Sequence, residues 1–160
     1  MITSSIETAR TFLASRRIAV VGVSRDEKDF SRFLFRELVG RGLDVVPVNP
    51  ALAEAEGRPG YPRVADVAPP PDAALLLVPA ARAVEAVRDC LAAGVRRVWF
   101  HRGGGPGAAS GEALALCRES GVEVVEGLCP FMALPGAAFP HRLHGLVRRT
   151  FGRRPAPPTR

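Results

Sequence analysis

The chain has 160 residues, 47% of them hydrophobic, which is enough for one ordinary core and too few for two domains of usual size. No apolar run approaches the roughly 18 residues of a membrane span, and the first residues lack the charged and apolar regions of a signal peptide. These features predict a cytoplasmic protein that does not bind membranes. Its three cysteines have no C-x-x-C spacing, which indicates reduced thiols rather than a disulfide framework.

The positive charge is concentrated towards the C-terminal end. Residues 1–126 contain 16 basic and 16 acidic residues, so the net charge of +6 belongs to residues 127–160. We expect a folded domain over residues 1–151 and a basic, proline-rich, disordered tail over residues 152–160. Such a tail offers one alternative function, polyanion binding. Nucleic acid is disfavoured as a partner because the chain has neither an RNP-type aromatic pattern nor a zinc-finger spacing.

Short valine-rich runs alternate with longer amphipathic segments along the chain, which is typical of an α/β protein. The runs predict five strands, at residues 17–23, 43–48, 73–78, 95–101 and 122–125. The amphipathic segments predict helices at residues 30–39, 83–93, 108–120 and 141–151, with a single helical turn at 63–67 and an irregular connection at 51–62. Repeated β-α units require right-handed crossovers and a parallel sheet. We therefore predict a single Rossmann-like three-layer α/β/α sandwich with about five parallel strands.

Two segments predict how the layers pack. Phe30, Phe33, Leu34 and Leu38, with Phe35 beside them, recur at helical spacing and predict the buried face of the first of these helices. The third strand, "AALLLV", has no polar alternation, which is typical of a strand covered on both faces of the sheet.

The turn after the first strand, "VVGVSRDEKDFS", has the composition of an anion site. In doubly wound sheets, ligands bind at the carboxyl ends of the strands. Gly22 allows a sharp turn, Ser24 and Ser31 offer hydroxyls, Arg25 and Lys28 offer positive charge, and the following helix offers amide groups. The alternative is an ordinary charged surface turn, and the composition alone leaves both open.

A nicotinamide-dinucleotide site is disfavoured by two departures from its pattern. The fingerprint G-x-G-x-x-G needs glycines where this chain has Ser24 and Glu27. The second strand ends in "VVPVNP", with Asn49 in place of the acidic residue that binds the adenosine ribose. An NAD(P)-dependent oxidoreductase, in which Arg25 would bind a 2′-phosphate, stays as an alternative function.

Five segments together resemble one family. They are "IAVVGVSRDEKDF" (18–30), "GLDVVPVNP" (42–50), "GYPRVADVAPPPDAALLLVP" (60–79), "GVRRVWFHRGG" (94–104) and "GVEVVEGLCPFM" (121–132). In combination they resemble the CoA-binding domain proteins, whose Rossmann-like fold is similar to the nucleotide domain of the succinyl-CoA synthetase α subunit. The resemblance covers about residues 15 to 132. It implies coenzyme A as the cofactor and CoA or an acyl-CoA as the partner.

The resemblance also implies where each part of CoA lies. The turn that would hold the diphosphate comprises Gly22, Val23, Ser24, Arg25, Lys28 and the later Ser31. The residues implied beside the adenosine are Val48, Asn49, Pro50, Val78 and Pro79. Those implied along the pantetheine or adenine side are His101, Arg102 and Gly103. The synthetase subunit carries its phosphorylated histidine on a second domain, for which this chain has no room, so ligase activity is not implied.

Chemistry beyond binding has few candidates. Cys129 precedes a proline near the ligand edge, where it is either a nucleophile or, as we favour, a small buried residue that sets the turn. His101, His141 and His144 could join Cys129 around a metal, but they come from distant segments and we predict no metal site. No catalytic triad or carboxylate pair is evident from the spacing. The sequence therefore predicts a stand-alone CoA-binding protein that is not catalytic alone, as a sensor, carrier or partner subunit of unknown oligomeric state.

Overall fold

Five parallel strands form the central sheet of the protein, seen in a computed structural model that describes residues 4–101 and 107–136. The strands of the chain are β1 (Ile18–Val21), β2 (Val45–Val48), β3 (Glu54–Ala55), β4 (Arg58–Pro59), β5 (Ala73–Leu76), β6 (Arg97–Phe100) and β7 (Glu123–Glu126). The sheet has the order β2-β1-β5-β6-β7, while β3 and β4 pair separately. The chain thus winds outwards from β1 to β2, returns to β5 and continues in the other direction. The predicted parallel sheet of five strands is confirmed.

Helices cover both faces of the sheet. They are α1 (Ile6–Leu13), α2 (Phe30–Gly40), α3 (Ala83–Ala92), α4 (Gly111–Glu119) and the short α5 (Pro130–Ala133), with 3-10 turns at Val64–Asp66 and Ala80–Arg82. Alternate residues of β1 point to opposite faces: Ile18 and Val20 join the core under α1, α2 and α5, and Ala19 and Val21 join the core under α3 and α4. The predicted three-layer Rossmann-like sandwich is therefore confirmed. None of the helices in the described part of the chain combines the length and the hydrophobicity that a transmembrane helix needs.

The first helix, α1, was not predicted. Ser5 caps α1, since its side chain accepts a hydrogen bond from the Thr8 amide. Phe12 then packs edge-on against Trp99, with 5.2 Å between the ring centroids. The segment before β1 is thus part of the core and closes one face of the sheet.

The buried face of α2 differs from the predicted one at two positions. Leu34 and Leu38 are buried as expected, but Phe30 keeps 40% of its surface exposed. Arg32 is 6% exposed and takes a place that the apolar pattern did not assign to it. The physical reason is that Arg32 finds polar partners inside the fold, which are described below.

Two further boundaries differ from the predictions. Helix α4 begins at Gly111 rather than at 108, because the Ser110 hydroxyl caps it by accepting a hydrogen bond from the Ala113 amide. The single turn predicted at 63–67 is present as the 3-10 turn Val64–Asp66. The predicted helix at 141–151 and the predicted tail at 152–160 lie outside the described residues.

The connection predicted as irregular at 51–62 contains a small hairpin. Strands β3 and β4 are antiparallel and are joined by Glu56 and Gly57, both with positive φ, at 51° and 75°. Two successive residues with positive φ are typical of a type I′ turn, where Asn or Asp and Gly are the usual pair. A glutamate at the first position is unusual, and its carboxylate is held by two arginines.

The hairpin covers the outer edge of β2. The Arg58 guanidinium donates hydrogen bonds to the carbonyls of Leu43 and Val45, at 2.9 and 2.8 Å. The Tyr61 amide donates to the Pro47 carbonyl, and the Tyr61 carbonyl accepts from the Asn49 amide. Pro47 itself has no amide hydrogen, which suits its position in an edge strand. The polar backbone groups along this edge are therefore paired within the chain.

Candidate ligand-binding site

Four strand ends meet at the carboxyl edge of the sheet. The Gly22 amide donates to the Val48 carbonyl at 2.9 Å, and the His101 amide donates to the Leu76 carbonyl at 3.1 Å. The strand order reverses between β1 and β5, and a crevice at such a switch point is where doubly wound sheets bind ligands. The structure thus brings the ends of β1, β2, β5 and β6 together, as the sequence analysis expected.

Gly22 is required at the end of β1 for two reasons. Its φ of +97° is one that other residues rarely adopt. A Cβ atom there would also lie 3.1 Å from the Leu77 carbonyl carbon and 3.1 Å from Val78 Cγ1. The glycine therefore lets the turn leave the sheet in close contact with the end of β5, and it places Gly22 and Val78 side by side.

Hydrogen bonds within the turn give it a defined shape. The Ser31 hydroxyl accepts from the Ser24 amide at 2.9 Å and itself donates to the Asp29 carboxylate. The Ser24 hydroxyl accepts from the Asp26 amide, and the Asp26 carboxylate accepts from the Lys28 amide. Ser31 is 5% exposed. Ser24 and Ser31 thus use their hydroxyls to organise the turn.

The N-terminal end of α2 was expected to offer its amide groups to a ligand, but a side chain of the protein occupies this end. Asp29 occupies the N-cap position, and its carboxylate accepts a hydrogen bond from the Ser31 amide at 2.8 Å. A carboxylate there also interacts favourably with the helix dipole. The chain's own aspartate therefore takes the place that a phosphate would have needed at this helix end.

The positive side chains of the turn are available. Arg25 and Lys28 are both exposed, and neither forms an ion pair with any of the described residues. The acidic side chains of Asp26 and Asp29 are directed to backbone amides of the turn and helix. An anion that approaches this turn can therefore contact Arg25 and Lys28, while the Asp26 and Asp29 carboxylates are hydrogen-bonded to backbone amides.

Asn49 contributes to the shape of the site. Its side-chain amide donates to the Val23 carbonyl at 2.8 Å, and its side-chain oxygen accepts from the Ala51 amide at 2.9 Å. The residue ties the loop after β1 to the loop after β2. Both polar atoms of the side chain thus have partners in the protein. The placement of Asn49 beside the adenosine stays a prediction.

Phe30 and His101 form an aromatic pair beside the turn. Their rings are stacked, with 5.1 Å between centroids and 12° between planes, and Phe131 meets Phe30 edge-on. His101 is 8% exposed, and Nδ1 has no partner among the described residues. Burial lowers the pKa of His101 below its ordinary value. The imidazole is thus neutral at pH 7 and gives the site an aromatic wall.

The other groups considered for chemistry are weakly placed for it. Cys129 is half-buried, and burial raises the pKa of its thiol. Burial raises the pKa of Cys117 to about 11, and Cys90 is also fully buried. Within the described ranges, no cluster of three or more metal-binding side chains occurs. The predicted site residues Arg102 and Gly103, and the candidate ligands His141 and His144, lie outside the described residues.

Two residues of this region have positions that were not predicted. Phe30 was assigned to the core, yet its ring is half exposed beside His101. Arg32 was not singled out, yet its guanidinium reaches the carbonyls of Ser24 and Arg25. The sequence signal that could have identified Arg32 is its spacing from Arg36. The two arginines lie one helical turn apart on α2, and both pair with Glu56 of the hairpin.

A doubly wound sheet with a positively charged turn at its switch point is typical of domains that bind nucleotide-containing ligands. Residues 16–135 match the model of the family described as "CoA binding domain". The chain therefore belongs to the CoA-binding domain family.

Solved structures have a similar fold. A hypothetical protein from Pyrococcus horikoshii OT3 matches with a TM-score of 0.74 and 28% identity, over 81% of this chain and 89% of that one. A conserved hypothetical protein from Pyrococcus furiosus matches with a TM-score of 0.65 and 31% identity, over 71% of this chain and 95% of that one.

A larger enzyme contains a similar region. The dinucleotide-forming acetyl-coenzyme A synthetase 1 of Ca. Korarchaeum cryptofilum matches with a TM-score of 0.62 and 30% identity. The match covers 76% of this chain and 27% of the synthetase. This chain thus resembles a part of that enzyme and nearly the whole of the two Pyrococcus proteins.

Proposed function

We propose that this protein binds CoA or an acyl-CoA at the carboxyl edge of its sheet, as a stand-alone module that does not catalyse a reaction alone. It would then act as a sensor, a carrier or a partner subunit. The observation that carries the proposal is the family match over residues 16–135. This range contains all five strands of the central sheet and every described residue that we predict to bind CoA. The two Pyrococcus chains, of similar extent, support a module that exists by itself.

The turn at residues 22–28 would hold the CoA diphosphate. Gly22 lets the backbone approach the ligand closely, and the exposed Arg25 and Lys28 supply positive charge. Val23 and Ser24 belong to the same turn, whose shape Ser31 and Asn49 support through hydrogen bonds. The carboxylates of Asp26 and Asp29 favour this role, because they accept hydrogen bonds from backbone amides and so point at the protein rather than at an approaching diphosphate.

The adenosine and pantetheine would lie against the neighbouring strand ends. Val48 ends β2 and Pro50 follows it, while Val78 and Pro79 follow β5. Gly22 lies between the two strand ends, beside Val78 and hydrogen-bonded to Val48. The exposed ring of Phe30, which stacks on the buried His101, offers an apolar aromatic surface at the end of β6. An adenine ring or a pantetheine chain suits such a surface because both bury apolar area.

Binding without chemistry is supported by the ionisation of the nearby groups. The pKa of His101 is lowered and the pKa of the Cys129 thiol is raised, both by burial. At neutral pH the imidazole is thus uncharged and a weaker base than usual, and the thiol is mostly protonated, which makes it a poor nucleophile. These properties suit a surface that recognises CoA and leaves it unchanged.

Calorimetric titration with CoA, dephospho-CoA, NAD and NADP at one moderate salt concentration tests the proposal. We expect CoA to bind and the loss of the 3′-phosphate to weaken binding. Tighter binding of NAD or NADP than of CoA would instead favour the oxidoreductase alternative. If CoA at millimolar concentration gives no binding signal in this titration, the proposed function is refuted.

A paired variant locates the diphosphate. Arg25→Ala with Lys28→Ala should weaken CoA binding by about 1–3 kcal/mol, which is about fivefold to more than a hundredfold, if both side chains contact the diphosphate. The matched control is Arg16→Ala with Arg96→Ala. These exposed arginines precede β1 and β6 at the opposite edge of the sheet, so the control removes the same charge without touching the turn. Equal weakening by both pairs would indicate a general charge effect rather than a contact.

A further inference from the structure

A buried arginine connects the candidate diphosphate turn to the hairpin. Arg32 lies in the first turn of α2, and its side chain is 8% exposed. One terminal nitrogen, Nη1, lies 3.3 Å from the Ser24 carbonyl oxygen and 3.5 Å from the Arg25 carbonyl oxygen. The other, Nη2, lies 3.2 Å from Glu56 Oε1. The guanidinium thus contacts the backbone of the turn on one side and the hairpin on the other.

Glu56 balances the charge of the buried arginine. Its carboxylate also receives two hydrogen bonds from Arg36, at 3.2 and 3.1 Å. The two arginines hold the pKa of Glu56 below its ordinary value, with the hydrogen bond from Arg36 as the largest cause. Glu56 holds a backbone conformation with φ of 51°, which is uncommon for a residue other than glycine. The hydrogen bonds from Arg36 hold the Glu56 carboxylate in place, and the carboxylate in turn orients Arg32.

The contacts of Arg32 decide which backbone groups the turn presents. In a trans peptide the N–H points opposite to the C=O of the same peptide plane. Because Arg32 attracts the Ser24 carbonyl, the Arg25 amide hydrogen points away from Arg32. The amides of Ser24, Asp26 and Lys28 already have acceptors within the turn. The Arg25 and Glu27 amides have no acceptor among the described residues, and the Arg25 amide is the one whose direction the Arg32 contact sets, on the side where an anion can approach.

We infer that Arg32 is a positioning residue, which Glu56 orients and which holds the turn so that the Arg25 amide, rather than the carbonyls of Ser24 and Arg25, faces the CoA diphosphate. This inference rests on the proposed function. Without the guanidinium, both carbonyls lose a buried donor and gain by turning towards water, where their oxygens repel a phosphate. Arg32 itself does not touch the ligand, because its charge is already paired with Glu56.

The test compares two matched substitutions in the same helix. Arg32→Met keeps the apolar stem and removes the contacts to the turn, whereas Arg36→Met removes a contact to the same Glu56 and leaves the turn intact. We expect Arg32→Met to weaken CoA binding by about tenfold, which corresponds to one lost hydrogen-bond contribution, and Arg36→Met to change it by less than about twofold. Equal affinity of Arg32→Met and the wild type would overturn the inference.

A spectroscopic measurement separates positioning from general stability. In the ¹⁵N-labelled wild type and in Arg36→Met, the Arg25 amide resonance should shift when CoA saturates the protein. In Arg32→Met it should shift much less at the same saturation. A full Arg25 shift in Arg32→Met would overturn the inference even if the affinity had fallen, because the amide would then still face the ligand.

If Arg32→Met does not fold, Glu56→Gln provides the test and Glu54→Gln its control. Glu54 lies on the same hairpin and is exposed, so the control changes the same charge without disturbing Arg32. We expect a loss of CoA affinity of about threefold or more with Glu56→Gln only. An equal effect of both substitutions, or no effect of either, would overturn the inference. Failure of the wild type to bind CoA would instead refute the proposed function, and the inference with it.

Discussion

The imidazole of His101 and the phenyl ring of Phe30 lie nearly parallel, 5.1 Å apart at their centroids. Phe30 comes from the first residue of α2 and His101 from the end of β6, so the pair joins a helix start to a strand end. Phe30 shields the imidazole from water on one face while keeping 40% of its own surface exposed. The ionisation of His101 and the apolar character of the site are therefore linked through one side chain.

Removal of the Phe30 ring should raise the pKa of His101 towards its ordinary value of about 6.5, because burial is what lowers it. The pKa is measured by following the imidazole C–H resonances of Phe30→Ala against pH. Phe33→Ala is the control, since Phe33 packs against Phe131 and no contact of its ring with His101 occurs among the described aromatic pairs. An unchanged pKa of His101 in Phe30→Ala would show that other groups provide the shielding.

The free energy of unfolding should fall as the pH drops below about 6.5, in part because of His101. Its pKa is lower in the folded protein, so the unfolded chain takes up the proton first. The stability that neutral His101 contributes is complete above the unfolded pKa of about 6.5 and is lost as the pH falls from there to the folded pKa. Denaturant unfolding of the wild type and His101→Phe at about pH 7.5 and about pH 5.5 measures the effect. The variant should lose less stability over this interval, and an equal loss in both would contradict the prediction.

Substitution of Gly22 should destabilise the protein more than substitution of Gly42. Both glycines have positive φ, +97° and +78°, but only Gly22 would place a Cβ atom in close contact, 3.1 Å from the Leu77 carbonyl carbon. We expect Gly42→Ala to lower the free energy of unfolding by about 1 kcal/mol, through the backbone alone. Gly22→Ala should cost about 2 kcal/mol or more and should also weaken CoA binding. Similar losses measured by denaturant unfolding would mean that the contact with Leu77 relaxes easily.

Asn49→Asp should destabilise the loops after β1 and β2. The substitution replaces a donor with a carboxylate oxygen opposite the Val23 carbonyl, at a position where the donor now lies 2.8 Å away. We expect a loss of about 1–3 kcal/mol in the free energy of unfolding at neutral pH. The loss should shrink in acid, where a protonated carboxyl can donate to Val23 again. Asn49→Ala serves as the comparison, because it removes the bond without adding a charge and its loss should not depend on pH in this way.

Much of the fold follows from the order of elements along the chain. Alternating strands and helices require a parallel sheet, and parallel strands bring their carboxyl ends to one edge, so Gly22, Val48 and Val78 meet as predicted. Helix α1 was missed although its residues show a helical pattern. Ser5 precedes Ile6, and Ala9, Phe12 and Leu13 then recur on one face.

The orientation of individual side chains could not be predicted in the same way. Composition placed Ser31 and Asn49 at the ligand edge, but not that their polar groups bind the protein's own backbone. The burial of Arg32 depends on Glu56, which lies in a hairpin that lacks the usual Asn-Gly or Asp-Gly turn. Such choices are made by tertiary contacts between distant segments, which a periodic pattern does not contain.

The saturated edge of β2 has a consequence for how this protein meets its neighbours. Arg58 and Tyr61 occupy the outward carbonyls of Leu43, Val45 and Pro47, so an incoming extended peptide finds no main-chain acceptor there. Exposed edges are where β-proteins recruit further strands and begin to aggregate. In this molecule the same short hairpin that orients Arg32 also closes that route on the β2 side. Loosening of the hairpin would therefore both disturb the turn and expose a template for self-association.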